Sequence, residues 1–261
     1  MFIPVVKLVL IALTALLFIV PVWVSHALKK KHVRDELIQR FCKLLLLIVG
    51  IKLKVHGKIS NHRPLLVVSN HLTYMDIPVM ASQFPMRFTP KSEIAKWPVI
   101  GFICRITDSV FVERKPGKVK DTADALHKVL QQGEVISFFP ESTTGNGVHV
   151  LPFKSSFFSL AEEEFNGKKL HVQPIAMTYT RVRNLPVDSR LWHQIAWYGD
   201  AELVPHLMDF LRLGPMQLEM HFLPTVSMEQ FADRKEMAQH CQQVITGVID
   251  EVRENGHLSR A

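Results

Sequence analysis

From Leu8 to Val24 the chain carries no charged side chain and one clear polar one, Thr14. Extended to Leu28 the run holds 21 residues, with Pro21, Ser25 and His26 near its end. That meets the about 20 residues a membrane-spanning helix needs. A second apolar run, Leu44 to Ile51, is too short to span. With Leu37, Ile38 and Phe41 before it, the pattern predicts an amphipathic helix ending near Gly50. The polar stretch 29–36 would join the two helices. They predict a span plus an in-plane helix or a helical hairpin dipping into one leaflet, with an ordinary core helix over 37–51 as the alternative; in each case the first helix anchors the protein.

After residue 52 the pattern changes. Leu65 to Ser69 is a short continuous apolar run, as expected of a strand buried on both faces. Further strands are predicted at Asp108 to Val112, Val135 to Phe139, Val172 to Thr180, Gln194 to Tyr198 and Gln217 to Leu223. In the last of these, apolar and polar residues alternate. Asp121 to Gln132, stopped by Gly133, reads as a helix. A closing helix follows a capping box of Ser227 and Gln230, with Met237, Cys241, Val244, Ile245, Val248 and Val252 on one face. Strands alternating with helices predict an α/β domain over 52–261, a partly parallel mixed sheet flanked by helices. Residues 1–51 form its N-terminal hydrophobic membrane anchor.

Composition narrows the class. In 261 residues, 48% are hydrophobic and 21% charged, which excludes a disordered or collagen-like chain. Cys42, Cys104 and Cys241 are widely spaced, which argues against a disulfide scaffold or zinc ribbon. The net charge is +7, but residues 1–63 hold 11 basic and 2 acidic side chains, so the excess surrounds the most apolar part. That distribution fits anionic lipid headgroups better than nucleic acid. Lys29-Lys30-Lys31 predicts a cytoplasmic flank, with the N-terminus outside if the first helix spans. Ser25-His26-Ala27 loosely resembles a signal cleavage site, but the lysines after it oppose export.

Among chemical motifs, G-x-S-x-G, the P-loop and H-E-x-x-H are absent, and no pair among the 13 histidines has a persuasive metal-ligand spacing. The strongest signal is Asn70-His71-x4-Asp76, directly after the buried strand at 65–69. A carboxylate can fix a histidine's tautomer and stabilise its protonated form, which makes a general base. Five residues along one helix separate side chains by roughly 140°. His71 must therefore sit at the helix entrance, with Asp76 in its first turns. Two more strand ends carry polar groups, Glu113-Arg114 and Glu141-Ser142-Thr143. Sites in open α/β sheets gather beyond such ends.

These residues occur in an order that resembles the glycerolipid acyltransferase family. Asn70-His71-x4-Asp76 matches its first block. Asp108-x-Val110-Phe111-Val112-Glu113-Arg114 matches the second, with Asp108 in place of the usual glycine. Phe139-Pro140-Glu141-Ser142-Thr143 matches the third, with Ser142 in place of glycine. Val172-Gln173-Pro174-Ile175-Ala176 is similar to the fourth. Lys91-Ser92-Glu93-Ile94, Trp97-Pro98-Val99-Ile100-Gly101 and Ala196-Trp197-Tyr198-Gly199-Asp200 resemble a bacterial subgroup acylating lysophosphatidic acid or lyso-ornithine lipid.

The resemblance implies acyl transfer from a thioester, acyl-CoA or acyl carrier protein, to a lysolipid hydroxyl. The first choice of acceptor is 1-acyl-sn-glycerol-3-phosphate, giving phosphatidic acid. The alternatives are lyso-ornithine lipid O-acylation and an inactive lipid-binding relative. His71 would be the base and Asp76 its orienting group, with no acyl-enzyme. Oxyanion donors would be backbone N–H groups at the helix entrance, or Lys91. Arg114, with Glu141, Ser142 and Thr143, would hold the acceptor headgroup. No metal and no cofactor beyond the acyl thioester co-substrate is implied. The partners expected are membrane lipids and acyl carrier protein, not nucleic acid. The expected location is the bacterial inner membrane, with the catalytic domain on the cytoplasmic side. Serine at 142 is expected to alter acceptor preference if its backbone is left-handed.

Overall fold

A computed structural model of the protein describes residues 2–113 and 119–258. Two helices come first, α1 (Phe2–Ala27) and α2 (Lys31–Val49). They pack together through a tight turn at Leu28 to Lys30, in which Lys29 is left-handed. The expected polar linker 29–36 is therefore mostly helix, because residues from Lys31 onward continue the period of α2. Gly50 ends α2 at φ 90°, donating to the carbonyls of Leu46 and Leu47, a conformation glycine adopts without a Cβ penalty.

β1 (Ile51–His56) follows at once. Its strict alternation, Ile51-Lys52-Leu53-Lys54-Val55-His56, is a strand signal that the apolar run before it concealed. The chain continues through β2 (Leu65–Ser69), α3 (Asp76–Ala81), β3 (Arg87–Phe88), α4 (Pro98–Ile106), α5 (Val119–Gln131) and β4 (Val135–Phe138). A small hairpin of β5 (Glu164–Phe165) and β6 (Lys168–Lys169) precedes the long β7 (His171–Val182). Then come β8 (Leu185–Pro186), α6 (Trp192–Ile195), α7 (Leu203–Arg212), β9 (Met216–Phe222), β10 (Val226–Ser227) and α8 (Arg234–Leu258).

The main sheet runs β1-β9-β7-β2-β4-β3, with β8 and β10 added against β7. All its neighbours in that path are parallel except β7 and β9. This is the partly parallel mixed sheet the alternation predicts. Every residue of β2 is buried. Leu65 and Val67 face a layer that includes Leu46 and Val49 of α2, Val79 and Met80 of α3, and Phe210 of α7. Leu66 and Val68 face the opposite layer, with Leu126 and Leu130 of α5 and Met237, Cys241 and Ile245 of α8. Helices on both faces leave β2 no wet side, so its sequence is continuously apolar.

Three expectations differ in detail. Gln194 to Tyr198 is not a strand. Trp192 and Ile195, one helical turn apart, enter the core, and the Trp197 N–H donates to the Leu72 carbonyl. Asp108 closes the turn after α4 in left-handed backbone, and only the residues up to Val112 run beside 88–92, bridging at Lys91 and Val112. Pro90 has no N–H to complete a ladder there. The Ser227–Gln230 capping box forms, but over a single 3₁₀ turn. α8 begins later, with the Asp233 carboxylate accepting from the N–H groups of Lys235 and Glu236.

α1 is long and apolar enough to cross a membrane, and most of its side chains are exposed. Polar contacts nevertheless fasten it to the α/β domain at both ends. Near its start, Lys7 Nζ donates to the carbonyls of Val49 (2.6 Å) and Leu211 (3.2 Å), the last turns of α2 and α7. Near its end, His26 Nδ1 lies 3.2 Å from the Asp108 carboxylate. Between these lies a buried charge cluster. Asp35 accepts from Arg34 at 3.1 Å and from both terminal nitrogens of Arg87 at 3.0 and 2.9 Å. Arg87 also pairs with Glu134, Glu134 with Lys31, and Arg34 with Asp108. Arg34, Asp35 and Arg87 are each less than 7% exposed. Removing one partner of such a cluster strands the others without solvent. Asp35→Ala is expected to cost about 3–5 kcal/mol of stability. Chemical denaturation in detergent tests this; a loss below about 1 kcal/mol, as for a surface pair, would contradict it.

Candidate active site

β2 delivers the first block to the carboxyl end of the sheet. Past Ser69 its ladder to β7 continues through a side chain. Asn70 Oδ1 accepts the Met177 N–H and Nδ2 donates to the Met177 carbonyl, both at 2.9 Å. The amide thus substitutes for a backbone peptide and lets the main chain turn away. His71 and the next residues form that turn, and Asp76 opens α3. His71 is off the helix and Asp76 is in its first turn, as the spacing requires.

The imidazole Nδ1 lies 2.8 Å from Asp76 Oδ2. The same oxygen accepts the Leu72 N–H at 2.6 Å and the Thr73 N–H at 3.0 Å. Asp76 is fully buried, while 18% of the His71 side chain stays exposed. Because a carboxylate only accepts, the proton shared by the pair belongs to Nδ1, which leaves the Nε2 lone pair directed away from Asp76. One face of the ring stacks on Phe139, with centroids 4.0 Å apart and planes 12° from parallel.

Phe139 follows β4, so the third block meets the first. The Glu141 carboxylate braces the loops. Its Oε1 accepts the His71 N–H at 2.6 Å and its Oε2 accepts the Leu151 N–H at 2.8 Å. The Gly145 N–H returns to the His71 carbonyl at 2.7 Å. Burial pushes the Glu141 carboxyl up to about 7, against the two N–H donors that favour its charged form. The backbone N–H groups expected to serve the oxyanion at the helix entrance are thereby engaged. His71 donates to Glu141, and Leu72 and Thr73 donate to Asp76.

A second support comes from α8. Arg253 donates to the carbonyls of Val148 (2.8 Å) and Gly147, and its guanidinium lies 4.7 Å over the Trp192 ring. Gly147 sits at φ 81°, and a Cβ there would fall 2.2 Å from that ring. Asn70, Glu141, Gly147 and Arg253 line an internal void of about 10 Å³, one water in size. Sequence reasoning gave no role to Asn70, Phe139 or Arg253. Asn70 and Phe139 lay inside quoted motifs and could have been weighed. Arg253, in a helix far along the chain, gave no signal.

The other expected residues lie as follows. Lys91 is exposed and bridges Val112, which brings it beside the second block. Thr143 is exposed on the loop after Ser142. Arg114 lies outside the described residues. Ser142 has φ 65° and Asp108 has φ 54°, so both departures from glycine occupy left-handed backbone. Asp108 gains ion pairs from its side chain, whereas the buried Ser142 hydroxyl has no partner among the described residues. Ser142→Gly is expected to stabilise the fold by roughly 0.5–1 kcal/mol, strain relief less the added chain entropy. It should also change relative turnover on different lysolipids. Thermal unfolding and a panel of acceptors check both; an unchanged midpoint would show that Ser142 carries no strain.

The Acyltransferase family model matches residues 52–178. The chain is 34% identical over 209 residues to a lyso-ornithine lipid O-acyltransferase of Rhizobium meliloti, covering 78% of this chain and 72% of that one. It is 33% identical to its counterpart in Brucella abortus, covering 80% of each. A 1-acyl-sn-glycerol-3-phosphate acyltransferase of Neisseria gonorrhoeae is 37% identical over 97 residues, 37% of this chain and 38% of that one. The crystal structure of the 1-acyl-sn-glycerophosphate acyltransferase of Thermotoga maritima shares the fold at a TM-score of 0.63 and 18% identity, covering 95% of this chain and 98% of that one. The chain belongs to the glycerolipid acyltransferase family and is a lysolipid acyltransferase.

Proposed function

We propose that this enzyme moves an acyl group from a thioester, acyl-CoA or acyl carrier protein, to the free hydroxyl of lyso-ornithine lipid. The observation that carries the reaction type is the His71–Asp76 pair, with Nδ1 locked at 2.8 Å and the ring still partly exposed. Nε2 takes the proton of the acceptor hydroxyl as its oxygen attacks the thioester carbonyl. The C–O bond forms, the C–S bond breaks, and the thiolate leaves with the proton returned from the imidazolium. Asp76 holds the ring and balances its charge during transfer. Glu141 acts as a positioning residue, since both its oxygens brace backbone N–H groups. Arg114 and Thr143 are the candidates for the acceptor headgroup. A guanidinium pairs with an ornithine carboxylate as well as with a phosphate.

The order of acceptors differs from the one the motifs alone suggest. The relatives matching over about four-fifths of the chain are lyso-ornithine lipid enzymes, whereas the Neisseria match spans 37% of it. Lysophosphatidic acid stays as the second reading because the shared motifs lie within both groups. With purified protein and labelled donor, lyso-ornithine lipid is expected to turn over faster than lysophosphatidic acid. His71→Ala should lower that rate by about 10²–10⁴-fold. Near-normal turnover in the variant would remove the base assignment. Preference for lysophosphatidic acid, or its accumulation in a deletion strain, would reverse the order of acceptors.

The anchor is proposed to lie in one leaflet, with the catalytic domain on the cytoplasmic face. α1 is about 39 Å long at 1.5 Å per residue. A helix crossing the bilayer would carry Lys7 about 30 Å away from the α/β domain. Lys7 instead caps α2 and α7, and His26 meets Asp108. The N-terminus is then expected on the same side as the domain, not outside. A Phe2→Cys variant should react with an impermeant maleimide only after cells are opened; labelling of intact spheroplasts would refute the single-leaflet arrangement.

A further inference from the structure

On the sheet's edge, away from the residues described above, β1 and β9 run parallel with Lys54 opposite Glu219 and His56 opposite His221. Strand periodicity puts His56, Glu219 and His221 on one face. Their ligand atoms all lie within 4.8 Å of one another. Glu219 Oε2 is 3.2 Å from His56 Nε2 and 3.8 Å from His221 Nε2. We propose that His56, Glu219 and His221 bind a divalent transition-metal ion of the zinc class, which staples the edge strand β1 to β9.

Three observations support this. First, the donor set is right: two imidazoles and a carboxylate suit zinc-class cations better than magnesium or calcium. Ligands 2.0–2.1 Å from a tetrahedral zinc stand about 3.3 Å apart, near the 3.2 and 3.8 Å observed. Second, His221 Nε2 is buried and has no hydrogen-bond partner among the described residues. Such an atom costs free energy unless something meets it. Third, the carboxylate is aimed. Oε1 accepts from Gln217 Nε2 at 3.1 Å and from the Thr180 hydroxyl at 3.4 Å, and Lys54 Nζ lies 3.5 Å away. Oε2 is thus turned toward the two rings. Outer partners of this kind orient metal ligands.

Two features bear on the geometry. The rings are stacked, 4.1 Å between centroids and 10° from parallel, so binding must splay them about their side-chain torsions. Half-exposed His56 has the room to do so. Lys54 opposes a cation, but it lies at Oε1 and is itself half exposed. The fourth position is open for water, as three protein ligands leave it. Because β1 issues directly from α2, the staple would fix the membrane hairpin to the catalytic sheet.

The test uses the full chain in detergent, its affinity tag removed, stripped with EDTA and titrated with Co²⁺. One equivalent is expected to bind, with the visible absorption of a tetrahedral site, and Zn²⁺ should displace it and raise the unfolding midpoint. Gln217→Ala should weaken binding about tenfold, as loss of an outer partner does. His56→Ala should weaken it further and abolish the visible band. Lys54→Ala should tighten it. Acyl transfer by metal-free His56→Ala should equal that of the metal-free wild type. No visible band in the wild type, or equal affinity in the His56→Ala/His221→Gln double variant, would overturn the proposal. Should His221→Gln fail to fold, the exposed His56→Ala variant alone decides.

Discussion

One oxygen atom organises the catalytic end of this protein. Asp76 Oδ2 collects the Leu72 N–H, the Thr73 N–H and the His71 ring within 3.0 Å, in a site with no solvent. A buried carboxylate requires such donors, and here two adjacent turn residues supply them. The turn at 71–75 is therefore wound around Asp76, and the imidazole direction follows from it. At the start of that turn Asn70 ties the chain to β7 and the His71 N–H ties it to Glu141 in the loop after β4. The ring then has one edge committed to the carboxylate and one face committed to Phe139. Its remaining edge is the part available for proton transfer.

A second constraint ties that end to the lipid. Arg34 and Asp35 of α2 lie in one buried cluster with Arg87 before the loop to Lys91, and Asp108 joins the cluster through Arg34 and His26. Buried ion clusters stabilise poorly against apolar alternatives, but they impose geometry, since each partner has few tolerable positions. Here the geometry sets the angle of an apolar hairpin against the sheet whose carboxyl end carries the His71–Asp76 pair.

The two departures from the family pattern share a physical cause. Residues 108 and 142 both hold left-handed backbone, which glycine adopts freely and other residues adopt at a cost. Aspartate at 108 offsets that cost through its pairs with Arg34 and His26, and aspartate is among the residues that tolerate the region best. Serine at 142 has no such compensation among the described residues. Backbone demand and side-chain function are thus separable at these positions.

Much was legible from residues alone. The apolar run at 8–28, the strand at 65–69 and the His71–Asp76 spacing each rest on local periodicity or chain geometry, which neighbours in sequence determine. The ordered motifs identified the family for the same reason. The helix at 192–195, the brace formed by Glu141 and the support from Arg253 were not legible. The Glu141–His71 and Arg253–Val148 contacts join residues 70 and 105 positions apart, and no local pattern encodes which loop a side chain will meet. The His56–Glu219–His221 cluster is the extreme case, its first two members standing 163 positions apart. Sequence fixed which strands could be buried and which side chains could carry a proton. Only the parallel register of β1 on β9, and of β2 between β7 and β4, decided which of those side chains stand within reach of one another.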